Sequence, residues 1–141
     1  MDQGTYVATF TQHYAIAMIW ANVTVERNGK ETGQDTEPNA WQDGHSDDWA
    51  VTAFDADAQA SIRGDCRDFV TANWADLASL DPEQCGHDFA LTRNGHGAGF
   101  WDRGLGERGE RLSKAAKVYG ESSGWYDADE FDDGRAVVHL F

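Results

Sequence analysis

Apolar residues recur at helical spacing near the start of the chain. Val7, Phe10, Tyr14, Met18 and Ala21 fall three or four positions apart, which predicts an amphipathic helix over Tyr6 to Ala21. The period then changes. Val23 and Val25 alternate with polar residues ahead of Asn28-Gly29, the pattern of a small hairpin. From Gln34 to Asp48 the chain is polar and acidic, with Pro38 and Gly44, so a surface loop is expected within 34–54. A second helix, capped by Asp55 or Asp57, is predicted to run to about Leu80, with Ile62, Cys66, Phe69, Val70, Asn73 and Leu77 on one side. Asp81-Pro82 ends it. A third helix spans about Glu107 to Tyr119, with acids first, Lys114 and Lys117 late, and Gly120 as its C-terminal stop. The tail alternates around Asp133-Gly134 and predicts two short strands.

Between the second and third helices lies "LTRNGHGAGFWDRG", Leu91 to Gly104. Taking Asn94-Gly95 as a type I′ turn sets Phe89 opposite Phe100 and collects Phe89, Leu91, Ala98 and Phe100 on one face. The other face carries Asp88, Ala90, Thr92, Gly97, Gly99 and Trp101, nearly flat over its glycines. Packing of another backbone over Gly97 and Gly99 explains such a face, and so does a recognition patch beside Trp101 edged by Arg93 and His96. The expected architecture is one acidic α+β domain over 1–141, with about three helices packed on a small antiparallel sheet built from β-hairpins.

Charge narrows the functional classes. The chain has 25 acidic and 11 basic residues, a formal net charge of −14, and its only lysines are Lys30, Lys114 and Lys117. Such a field repels nucleic acid and anionic membrane and attracts a basic protein surface. Solubility, adaptation to high salt and mimicry of a polyanion all account for this excess. No run of 18 apolar residues spans a membrane and "MDQGTYVATF" does not look like a signal peptide, so a cytoplasmic location is expected. Asn22-Val23-Thr24 then matches a glycosylation acceptor by chance. Cys66 and Cys85 lack metal-site spacing, and Cys66 reads as a small buried hydrophobe.

Three motifs invite chemistry. Gly104-Leu105-Gly106-Glu107-Arg108-Gly109 matches the dinucleotide fingerprint literally, but its preceding strand lies in an antiparallel hairpin. Glu107 and Glu110 would also stand where a pyrophosphate needs positive potential. Asp127 to Asp133 resembles a calcium loop only superficially, because Phe131 and Val138 fall at ligand positions. No cofactor or metal is therefore expected. The group His87, His96, Asp102 and Arg103 keeps a small enzyme or ligand-binding protein in view. In the hairpin register His87 pairs with Asp102, and His96 lies about 30 Å of strand away.

Residues 86 to 120, "GHDFALTRNGHGAGFWDRGLGERGERLSKAAKVYG", resemble a family of small proteins of bacteriophages, plasmids and prophage regions. The likeness extends to "AIAMIWA", to Ile62, Asp65, Cys66 and Phe69, and to the acidic C-terminal strands, about half the chain in all. The chain departs from that pattern at Ala90, where a large aromatic is expected, and in an acidic insertion around Asn22 to Asp57. The resemblance implies a mobile-element setting and brings no catalytic residues. With the charge, it leads to the expectation of a non-enzymatic accessory protein that binds and inhibits a host defence or nucleic-acid-processing protein, of the anti-CRISPR or anti-restriction type. DNA mimicry is one means to that end. The expected partner-binding residues are Asp43, Asp47, Asp48, Arg93, His96, Trp101, Trp125, Asp129, Asp132 and Asp133. A salt-adapted structural module is the third reading.

Overall fold

The computed structural model describes residues 1–27, 30–34, 46–132 and 135–141. Asp43, Asp133 and the turns predicted at Asn28-Gly29 and Asp133-Gly134 lie outside the described residues, as does most of the 34–54 loop. Among the described residues the protein is α+β, with helices predominating over a small mixed sheet. The elements are α1 (Gln3–Asn22), β1 (Val23–Arg27), β2 (Lys30–Gln34), α2 (Trp49–Thr52), α3 (Ala56–Ala72), α4 (Trp74–Leu77), α5 (Pro82–Arg93), a 3-10 turn (Phe100–Asp102), α6 (Glu107–Lys117), β3 (Gly124–Asp132) and β4 (Arg135–Leu140). No described helix is long and apolar enough to cross a membrane.

The helical body is built around α1. Asp2 caps it by accepting from the Thr5 backbone N–H at 2.7 Å. Buried residues lie on several of its sides, including Tyr6, Phe10, Tyr14, Ala15, Ala17, Met18 and Ile19. It is a central helix rather than the amphipathic surface helix of the sequence pattern. α5 runs parallel beside it. Tyr14 meets Phe89 with ring centroids 5.2 Å apart, and Asn22 meets His96 at the far end. α3 runs the other way, with Asp65 opposite Arg93 and Phe69 stacked on Phe89 at 4.2 Å. Phe10, Phe69, Phe89 and Phe100 form a buried aromatic column. The Cys66 thiol lies fully buried in this body, as expected, and burial pushes its pKa up.

The hairpin predicted around Asn94-Gly95 is overturned: Pro82 to Arg93 is helical. Asp81-Pro82 starts this helix instead of ending the previous one. The Asp81 side chain accepts from the Glu83 N–H at 3.1 Å, and Pro82 occupies the first turn, where its missing N–H costs nothing. Asn94-Gly95 stops it. Gly95 has φ +71°, its N–H donates to Thr92 O at 3.2 Å, and the His96 N–H donates to Leu91 O at 3.0 Å. Those two bonds are the paired closure of a Schellman motif. The second predicted helix divides as well, because α3 ends at Ala72 and Asn73 turns the chain into α4.

The sheet order is β2-β1-β3-β4. β1 pairs antiparallel with β2, and β3 antiparallel with β4, but β1 and β3 pair in parallel. The antiparallel sheet expected from the sequence is thus a mixed one. β4 also bridges to Phe54, and Ala50, Val51, Ala53 and Phe54 are buried, so the last part of the predicted 34–54 loop belongs to the core.

Candidate functional site

Acidic recesses lie on both sides of α3. The first, about 430 Å³, is lined by Asp55, Asp57, Ser61, Asp65, Glu121 and Ser122, with Arg93 at its floor. α3 supplies Asp57, Ser61 and Asp65 at four-residue intervals, which places them in one row along the helix. Asp65 is neutralised by Arg93 at 2.9 Å, and Asp55 Oδ2 lies 2.7 Å from His139 Nδ1. Among the described residues, Asp57 and Glu121 form no ion pair, so the recess keeps carboxylates without an internal counter-ion. The second recess, about 520 Å³, is lined by Thr9, Gln12, His13, Asp47, Asp48 and Arg63, among others. Its floor is set by Gln12, whose Oε1 accepts from the Ala50 and Val51 N–H groups at 3.2 and 3.4 Å.

The expected partner-binding residues are dispersed. Asp47 is exposed, and Asp48 precedes α2 and pairs with Arg63 at 3.4 Å. Asp129 and Asp132 fall on β3, described in backbone only. Trp125 is half-buried, its ring 4.7 Å from that of His139. Trp101 is exposed on the 3-10 turn.

Arg93, expected at an exposed hairpin tip, is buried. Its Nε donates to Gly120 O at 2.8 Å, Nη1 to Tyr14 Oη at 3.1 Å and to Asp65 Oδ2, and Nη2 to Tyr119 O at 3.0 Å. The guanidinium also lies over the Phe89 and Tyr119 rings, 5.6 and 5.5 Å from their centroids. It closes the helical body where α1, α3, α5 and the turn after α6 converge. His96 Nε2 meets Asn22 Oδ1 at 2.8 Å, which joins the ends of α1 and α5.

The enzyme constellation does not assemble. His87 and Arg103 line one shallow recess with His13 and Glu83, whereas His96 lies beyond the C-terminal end of α5, against Asn22. His87 does not lock a hairpin base onto Asp102. Burial holds its pKa below the ordinary histidine value. Its neighbour Asp88 carries the structural pairing. Arg103 grips buried Asp88 with Nε and Nη2 at 2.8 to 3.2 Å, and Gln84 Nε2 adds a third donor at 3.0 Å. No group of three or more His, Cys, Asp or Glu among the described residues is placed to hold a metal ion.

The glycines of the fingerprint-like segment have local causes. Gly104 and Gly106 adopt φ of +70° and +64°, and a Cβ on Gly109 would stand 2.9 Å from Phe100 O. Residues ahead of it form a 3-10 turn, not a strand. Of the flat glycine face, Gly99 packs against Thr92 Oγ1 and Gly97 is open. Sequence reasoning named Asp55 only as a helix cap, a role it does fill, and missed Glu130 and His139, because only the docking of β4 on the start of α3 brings the three together. Comparison with protein-family models, with curated proteins and with solved structures finds no match to this chain.

Proposed function

We propose that the protein is a non-enzymatic accessory factor of a mobile element, which binds a host protein on a basic, nucleic-acid-binding surface and blocks it. The observation carrying this reading is the recess beside α3. Asp57 and Glu121 form no ion pair there among the described residues, in a chain of net charge −14. An arginine or lysine of the partner would enter between them and meet Ser61 and Ser122 hydroxyls as well. The wider field steers a basic partner toward the protein, which makes association fast and salt-sensitive. Carboxylates then stand in for nucleic-acid phosphates on the partner, and Trp101 offers an exposed aromatic anchor.

The test is affinity purification from host lysate with wild type and with the Asp57→Lys, Glu121→Lys double variant, followed by binding and interference assays on the recovered protein. Wild type is expected to recover a nucleic-acid-binding protein and to inhibit it. The double variant should bind at least about tenfold more weakly. Recovery of no such protein, together with no protection in interference assays, would sink the proposal.

A second reading, a salt-adapted structural module, is favoured by the aspartate excess and the three lysines. It is separable by its salt dependence, since a salt-adapted fold unfolds in dilute buffer and a polyanion mimic does not.

A further inference from the structure

His139 on β4 lies between two carboxylates from different parts of the fold. Its Nδ1 is 2.7 Å from Asp55 Oδ2, at the start of α3, and its Nε2 is 2.6 Å from Glu130 Oε1 on β3. Ionised carboxylates only accept hydrogen bonds. A neutral imidazole has one N–H and one lone pair, so it satisfies one of these oxygens and turns a lone pair on the other. Only the imidazolium satisfies both.

The ring also sits at a structural seam. Asp55 N–H donates to Val138 O and Val138 N–H donates to Ala53 O, each at 2.8 Å, which fastens β4 to the helical body. Asp55 has a second duty there, since its Oδ1 accepts from the Ala58 N–H at 2.7 Å and caps α3. Trp125 packs against the His139 ring from β3. Among the described side chains, the charged groups around the ring are Asp55 on the helical side and Glu130 on the sheet side. Asp57, Asp65 and Glu121 stand in the adjoining recess, Asp65 being held by Arg93.

We propose that His139 is a proton-operated clasp between sheet and helical body: its imidazolium holds the seam of β4 against Ala53–Asp55 closed, and loss of that proton loosens it. The idea is independent of the binding reading. Its consequence touches the same recess, because Asp55, Leu140 and Phe141 line that wall.

Burial opposes the charged ring, but the Glu130 and Asp55 carboxylates outweigh it and hold His139 above its ordinary value of 6.5. A raised folded-state value gives stabilisation that is complete below 6.5 and lost as pH rises through the higher value. Burial likewise opposes charge on Asp55, yet the Ala58 N–H and His139 hold its carboxyl below the ordinary aspartate value of 3.8. That contribution is present above 3.8 and lost as pH falls through the lowered value. The clasp is therefore closed between the two and opens on the alkaline side first.

The experiment follows the His139 ring by NMR in the full chain from about pH 5 to about pH 9. In parallel, amide exchange at Asp55 and Val138 is measured and corrected for its intrinsic pH dependence. The expected midpoint lies above 6.5, with protection at both amides falling about fivefold across it while Phe69 and Phe89 stay unchanged. In Glu130→Gln the neutral amide accepts from a protonated Nε2 or donates to a bare one, so the midpoint drops toward 6.5 and the step in protection vanishes. A wild-type midpoint at or below 6.5, unchanged protection across it, or a wild-type step retained in Glu130→Gln would each overturn the proposal.

Discussion

Gly86 shows how tertiary contact can reverse a local preference. Replacing glycine by alanine inside a helix ordinarily stabilises it by about 1 kcal/mol. Here a Cβ would overlap the Phe10 carbonyl oxygen, backbone that cannot swing aside where α5 packs directly on α1. Gly86→Ala is therefore expected to destabilise by about 1–3 kcal/mol, read as a lower midpoint in urea unfolding with an unchanged slope. Arg93 is the second critical residue. Its removal leaves Tyr119 O, Gly120 O, Tyr14 Oη and Asp65 without their donor. Asp65 is 34% exposed and recovers part of its solvation from water, so Arg93→Met should cost about 2–3 kcal/mol rather than the full penalty of a buried charge. Trp101, 54% exposed, has the opposite profile. Trp101→Ala is expected to stay within about 0.5 kcal/mol of wild-type stability by the same assay.

At the scale of elements, α5 is the instructive case, because its residues support two readings. Phe89, Leu91 and the Asn94-Gly95 pair suit a strand entering a type I′ turn, yet Asp81-Pro82 and Asn94-Gly95 also bracket a helix. What decides between them is burial on more than one side. Cys85, Gly86, Asp88, Phe89, Ala90, Thr92 and Arg93 are all buried, an arc of about 200° around the helix, some against α1 and others against α3, Tyr119 and the 3-10 turn. A two-residue period cannot deliver that set, and a helix squeezed between neighbours loses the one-sided pattern by which helices are recognised. Asp81→Ala is expected to remove the cap and cost about 1 kcal/mol, visible as reduced amide protection over the first turn of α5. By contrast α6 has one buried stripe of Gly109, Leu112, Ser113 and Ala116, and it was legible within two residues of its observed end.

At the scale of the molecule, charge and core act separately. The aromatic column of Phe10, Phe69, Phe89 and Phe100 sits inside the helical body, while most of the net charge of −14 is distributed over the surface. A protein held by such a core and acting through its field is expected to stay folded in dilute buffer and to lose only partner binding at high salt. Circular dichroism across a salt series checks this, and unfolding in dilute buffer would favour the salt-adapted module instead. The sequence by itself determined the acidity, the α+β class, the Asp55 cap of α3, the pairing of β1 with β2 and of β3 with β4, and the burial of Cys66. Each of these is a matter of composition or of neighbours within a few positions. Tertiary structure alone decided that β1 and β3 run parallel, that Gln12 caps α2, that Arg93 is spent inside, and that His139 meets Asp55 and Glu130. Those contacts join residues up to 101 positions apart, as Val23 and Gly124 are. No local period encodes them, because which backbones meet is set by how the whole chain buries its apolar surface.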